Sequence, residues 1–115
     1  MSESLERELG ALIRACEDAL IVMQDSIMTK HWDRFNEEEA VHTTEMKKLQ
    51  ELCENHRDEV QALDEIYVTR LQQLSIRQRR IMRLVSAQMQ AISEDIAGID
   101  KGERRLRQFS ELLSS

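Results

Sequence analysis

Residues 71–99 read LQQLSIRQRRIMRLVSAQMQAISEDIAGI, and the spacing of their apolar side chains decides the fold class. Apolar positions recur at intervals of three and four residues, which indicates an amphipathic α-helix and comes close to a coiled-coil heptad. The stripe runs through Leu71, Leu74, Gln78, Ile81, Val85, Gln88 or Met89, Ile92, Ile96 and Ile99. Because the sequence contains no proline, we expect one long helix here.

Two further stripes with the same spacing precede this segment. The first predicts helix one over residues 3–28, and the second predicts helix two over residues 31–54. Their positions are Leu5, Leu9, Leu12, Cys16, Ala19, Met23 and Ile27, then Trp32, Phe35, Glu39, His42, Met46, Leu49 and Cys53. Because only a few polar residues separate the two stripes, we expect an antiparallel helical hairpin.

The boundaries of the third helix follow from local signals. Asp58 with Gln61 three residues later resembles a capping box, so helix three is predicted over residues 58–98. Gly98 and Gly102 mark a place where the chain can turn, and a short C-terminal helix over residues 102–113 should follow. The sequence therefore predicts one all-α domain over residues 1–115, with a hairpin, a long third helix and a short tail helix.

The length of helix three supplies the main functional clue. At 1.5 Å per residue it would span roughly 60 Å, against about 35–40 Å for each hairpin helix, so about a dozen residues would have no hairpin beside them. Such a stripe must fold back, pair with a second copy or bind a partner helix. We expect Met89, Ile92, Ile96 and Ile99 to bind a partner, with Leu106 and Phe109 as a movable cover.

The charge is distributed unevenly along the chain. Residues 1–65 carry 17 acids and 7 bases, a net −10, whereas residues 66–115 carry 5 acids and 9 bases, a net +4. The acid-free span between Tyr67 and Ile92 contains five arginines, which suit an acidic protein surface or the acidic helices of the same chain. The protein is anionic and has four aromatic residues, so direct nucleic-acid binding is not expected.

Targeting signals are absent from the sequence itself. The N-terminus begins Met-Ser-Glu-Ser, without a basic region and a following apolar stretch, and the longest apolar run covers only residues 19–23. These features predict a cytoplasmic protein without membrane insertion. Cys16 and Cys53 lie on apolar stripes, where free thiols act as small hydrophobic groups; a disulfide between the helices is the alternative.

Motifs that carry catalysis or cofactor chemistry are also missing. Glu39 and His42 form one Glu-x-x-His pair, but a di-iron bundle needs two such pairs. The sequence contains no phosphate-binding glycine loop, nucleophile elbow, Cys-x-x-Cys or His-Glu-x-x-His motif. We therefore expect no enzyme, no metal and no cofactor, and a role in protein binding.

Three segments resemble one family. Residues 31–39, HWDRFNEEE, with the helix that runs on to Leu52, are similar to the tryptophan–acid opening of helix two in FliT-type flagellar export chaperones, a branch of the FliT/FlgN group. Residues 84–92, LVSAQMQAI, resemble the long third helix of the family. Residues 101–105, KGERR, closing on Phe109, resemble its basic C-terminal signature, although tyrosine is common where Phe109 stands. The resemblance is diffuse and spans most of the chain.

The resemblance implies a cytoplasmic chaperone that holds the C-terminal helical segment of the filament-cap protein in an apolar groove before flagellar type III export. It further implies delivery to the export ATPase and, in part of the family, restraint of the flagellar master transcription regulator. Two alternatives stay open. One is a structural homodimeric coiled coil without a client, and the other is a FlgN-like chaperone of the hook–filament junction proteins.

Overall fold

The computed structural model describes residues 2–114 and is all-α over that range. Its helices are α1 (Ser2–Met28), α2 (Trp32–Asn55), α3 (Arg57–Gln61) and α4 (Glu65–Ser114). The predicted all-α class and helical hairpin are confirmed. The chain divides into two units, Met1–Met82 and Arg83–Ser115.

A tight turn joins α1 to α2. The backbone N–H of His31 donates to the carbonyl of Ser26 at 2.8 Å, and that of Lys30 donates to Ile27 at 3.2 Å. Lys30 takes a left-handed conformation with φ of 59°, which is typical of the residue that closes a helix C-terminus. Because the turn is so short, α2 returns antiparallel to α1, and Arg34 forms an ion pair with Asp25 across the turn at 2.9 Å.

The core of the first unit lies along α1. Eight apolar side chains of this helix are buried: Leu5, Leu9, Ile13, Cys16, Ala19, Leu20, Met23 and Ile27. They include all but one residue of the predicted α1 stripe, since Leu12 is half-buried while Ile13 and Leu20 are added. Helix α2 contributes Phe35, His42, Leu49 and Leu52. Burying a leucine or isoleucine fully stabilises the fold by about 1.5–3 kcal/mol, so α1 supplies most of the hydrophobic stabilisation of this unit.

The first part of α4 also packs in this unit. Leu74 and Ile81 are each 2% exposed, and their separation of seven residues places them on one helix face. Arg70 donates to a carboxylate oxygen of Glu17 at 2.6 Å, which ties α4 to α1. This ion pair accounts for one of the five arginines in the acid-free span.

The predicted boundaries of helix three are wrong at both ends. The segment that begins near Asp58 is the five-residue helix α3, and a short break precedes α4 at Glu65. In that break the carbonyl of Asp64 accepts from the backbone N–H of Tyr67 at 3.1 Å. At the other end α4 continues to Ser114, so the predicted turn and separate tail helix over residues 102–113 do not occur.

The reason for this continuity is energetic. Gly98 and Gly102 both have negative φ and lie inside α4. A glycine in a helix costs about 1 kcal/mol relative to alanine, which lowers stability without stopping propagation as proline would. The side chains of Arg104 and Asp100, at 3.8 Å, add a weak i,i+4 ion pair that spans Gly102.

Candidate functional site

The candidate site is the apolar stripe predicted from the sequence, called here the α4 stripe. Its residues are Met89, Ile92, Ile96, Ile99, Leu106 and Phe109, all in the unit Arg83–Ser115. Each of these side chains is exposed, from 41% for Ile92 to 71% for Leu106. An amphipathic helix with so many large apolar side chains in water is a recognised mark of an interaction surface.

Helix geometry brings the first four residues together on one face. At 3.6 residues per turn, Met89, Ile92 and Ile96 lie within an arc of about 60°, and Ile99 widens this arc to about 80°. The helix is regular here, and the side-chain amide of Gln90 donates to Glu94 one turn on at 3.3 Å. The stripe is therefore a continuous apolar row on one element.

The structure places the other two predicted residues differently. Leu106 and Phe109 were expected to fold back over the stripe, but they lie on the same uninterrupted helix and are 71% and 62% exposed. They cover nothing in this structure: Leu106 extends the row towards the C-terminus, whereas Phe109 projects about 120° from the centre line of the stripe. Because a straight helix drifts by about 20° per heptad, Leu106 lies slightly further round the helix than Ile99.

Sequence reasoning missed the carboxylates that border the stripe. Asp95 and Asp100 project about 70° to either side of its centre line, whereas Glu103 lies on that line, between Ile99 and Leu106 along the helix. All three are exposed. Asp95 and Asp100 are called here the border carboxylates. Their positions could have been predicted from the sequence, because the number of residues that separates each carboxylate from the isoleucines determines the helix face from which it projects.

Most bases of this unit lie on the other side of the helix. Lys101, Arg104 and Arg105 project about 100° or more away from the centre line of the stripe, whereas Arg107 projects about 40° from that line, one turn beyond Glu103. The segment near residue 100 thus has an apolar row with acidic borders and a basic back. Counting charges by halves of the chain, which gave a net +4 for residues 66–115, concealed this arrangement.

His42 has an environment that sets its charge state. It is 2% exposed in the hairpin core, and its Nε2 atom has no hydrogen-bond partner. Burial lowers the pKa of His42 below its ordinary 6.5, although the nearby Glu39 carboxylate opposes this shift. The imidazole of His42 is therefore a neutral core side chain. Within residues 2–114, no group of three or more possible metal-ligating side chains occurs.

Both cysteines are free thiols. Cys16 is buried on α1, and burial, with Glu45 and Glu17 nearby, raises its pKa to about 11. Burial also raises the pKa of Cys53. With raised pKa values, both thiols stay protonated near neutral pH. Because the thiolate is the reactive form, the two cysteines act as apolar side chains.

The hairpin turn holds a surface pocket. It has a volume of about 530 Å³ and is lined by Lys30, His31, Trp32, Asp33 and Arg34. Trp32 is half-buried and makes an edge-to-face contact with Phe35, with ring centroids 6.1 Å apart. This contact anchors the start of α2 to the core, which is a structural role for the tryptophan.

Neither protein-family models, nor curated proteins, nor solved structures gave a match to this chain. Within residues 2–114, no helix combines the length and the apolar character that crossing a bilayer requires. The function is therefore inferred from the residues of this chain, and above all from the α4 stripe.

Proposed function

We propose that this protein binds a helical segment of another protein along the α4 stripe and acts as a flagellar type III export chaperone. The observation that carries the proposal is the exposure of six large apolar side chains on one helix. The resemblance of residues 31–39, 84–92 and 101–105 to FliT-type chaperones supplies the biological setting.

The proposed client is the C-terminal helical segment of the filament-cap protein. In this setting the protein works in the cytoplasm, holds the client before export and delivers it to the export ATPase. Restraint of the flagellar master transcription regulator belongs to the same proposal. Its role is binding and does not involve catalysis, a metal or a cofactor.

The proposed mechanism is the packing of a client helix against the stripe. Each apolar side chain that becomes well buried contributes about 1.5–3 kcal/mol, and micromolar affinity requires about 8 kcal/mol. Five such residues, without Phe109, contribute about 8–15 kcal/mol before the costs of association and of ordering the client are subtracted. With α4 continuous, Leu106 serves in this proposal as a further contact for the client, and the cover expected from the sequence is set aside.

The test is a binding measurement with the C-terminal segment of a filament-cap protein and the full chain. Replacing Ile96→Asp and Ile99→Asp should weaken binding by about a hundredfold, since two apolar contacts are lost and charges enter the interface. The matched control is Ile21→Asp with Val41→Asp, which changes two apolar residues exposed on the hairpin, at 55% and 47%. Circular dichroism should show the same helix content for both variants.

Two results would contradict the proposal. Equal affinity for the stripe variant, its control and the unaltered chain would remove the stripe from the binding site. A tight dimer in light scattering that binds no cap segment would favour the homodimeric coiled coil, which the near-heptad spacing of the stripe also supports. Binding of hook–filament junction segments in place of the cap segment would favour a FlgN-like client.

A further inference from the structure

The electrostatic border of the α4 stripe restricts what can occupy it. Around Ile96 and Ile99 the adjoining charges are the border carboxylates, while Lys101 and Arg104 project from the far side of the helix. Asp100 contacts Arg104 only at 3.8 Å and with both side chains more than 60% exposed, so this pair leaves the acidic border largely unneutralised.

We infer that the occupant of the α4 stripe is a helix of another protein whose apolar face is bordered by lysine or arginine. This inference rests on the proposed function and adds the chemistry of the partner. A helix that packs on Ile92, Ile96 and Ile99 must bring its own flanking positions beside Asp95 and Asp100, as flanking positions do in paired helices. Basic residues there complete ion pairs, and acidic residues there repel.

A second copy of this chain fits the border poorly. In a parallel, in-register pair, Asp95 of one helix would lie beside Asp100 of the other, because the flanking contacts join positions five residues apart. In an antiparallel pair centred on Ile96 and Ile99, the counterparts of Asp95 and Asp100 are Gly102 and Ser93. Neither arrangement brings a base to the border carboxylates, so the charges favour a different partner.

Two designed amphipathic peptides of about 20 residues, long enough for a stable helix, serve as probes. They share one apolar face and differ only in the flanking positions, which are lysine in one and glutamate in the other. Their affinities for the full chain are measured by fluorescence anisotropy at low and high salt. The lysine peptide should bind about fivefold tighter at low salt, and the difference should shrink at high salt because screening weakens exposed ion pairs.

Charge-swapped variants locate the effect. Asp95→Lys should shift the preference towards the glutamate peptide. The matched control is Glu94→Lys, which changes the net charge by the same amount on the opposite side of the helix. The control should retain the preference for the lysine peptide, since long-range attraction alone would shift both variants equally.

The outcomes separate the inference from the proposed function. If both peptides bind equally and Ile96→Asp with Ile99→Asp abolishes binding, the stripe binds helices but its border does not select them, and only the inference fails. If neither peptide binds, both the inference and the proposed function fail. If light scattering shows a tight dimer that the lysine peptide cannot dissociate, the occupant is a second copy and the inference is overturned.

Discussion

Helix α1 and the C-terminal part of α4 carry apolar side chains at the same spacing but in opposite environments. The seven-residue row Leu9, Cys16 and Met23 is at most 1% exposed, whereas the row Ile92, Ile99 and Leu106 is 41–71% exposed. Spacing alone makes a helix amphipathic, and burial requires a second surface. The α1 row has that surface in the hairpin, whereas the side chains of the α4 row face solvent.

The largest expected effect is on the free energy of unfolding, when one isoleucine from each region is replaced by alanine. Ile13 is fully buried and Ile96 is 61% exposed. Ile13→Ala should lower the free energy of unfolding by about 2–5 kcal/mol, because it leaves a cavity in the core. Ile96→Ala should change it by less than about 0.5 kcal/mol, as is usual for surface positions.

Urea denaturation followed by circular dichroism measures both variants. A loss above about 2 kcal/mol for Ile96→Ala would mean that its side chain is covered in solution, by a second copy or by a folded-back tail. The protein concentration should then be varied, since stabilisation by a second copy depends on concentration and stabilisation by the tail does not.

The sequence was sufficient to predict the hairpin because its turn is signalled locally. The polar residues 29–31 interrupt the stripe, and the predicted bounds of helices one and two agree with α1 and α2 to within one residue. The later boundaries were wrong because the signals there are weaker than helix propagation. Asp58 and Gln61 belong to a five-residue helix, and Gly98 lowers helix stability without ending α4.

The candidate site was predicted in part. The spacing of Met89, Ile92 and Ile96 predicted a shared face, and their exposure is visible only in the structure. The cover by Leu106 and Phe109 depended on a turn at the glycines, so it failed together with that turn. Asp95 and Asp100 were overlooked because the charges were counted along the chain, whereas an interface depends on the face from which they project.

The second prediction concerns the buried region and its response to pH. His42 is buried and neutral, with its pKa held below 6.5, so below that pH the unfolded chain binds a proton that the folded chain resists. Stability should therefore be constant above about pH 7 and decrease as the pH falls from 6.5 towards the lowered pKa, by up to about 1.4 kcal/mol per pH unit. His42→Leu should remove this dependence.

The matched control for His42 is His31, which is exposed and lies in the turn between α1 and α2. His31→Leu should leave the pH dependence of unfolding unchanged between about pH 5 and pH 7.5, where carboxylates contribute little. A flat profile for the unaltered chain over this range would show that His42 is solvated or paired when protonated. The hairpin core would then be more open at this position than the α1 row.

The smallest expected effect tests whether α4 is continuous where the sequence predicted a turn. A Cβ added at Gly98 or Gly102 meets nothing within 4 Å, and both residues have helical backbone angles. Gly98→Ala should therefore stabilise the local helix by about 0.5–1 kcal/mol, because alanine lacks the backbone entropy cost of glycine. Amide hydrogen exchange around residues 95–105 should slow by about two- to fivefold.

A chain that turned at this point with a left-handed glycine would respond in the opposite way, because alanine is strained at positive φ. Faster exchange in Gly98→Ala would therefore restore the folded-back tail, with Leu106 and Phe109 as its cover. Gly10→Ala is the matched control, since Gly10 is also helical and also has nothing within 4 Å of an added Cβ, but lies in α1. Slower exchange around the substituted residue in each variant would show that α4 is one helix in solution. The exposed row of α4 would then be available to a partner along its whole length.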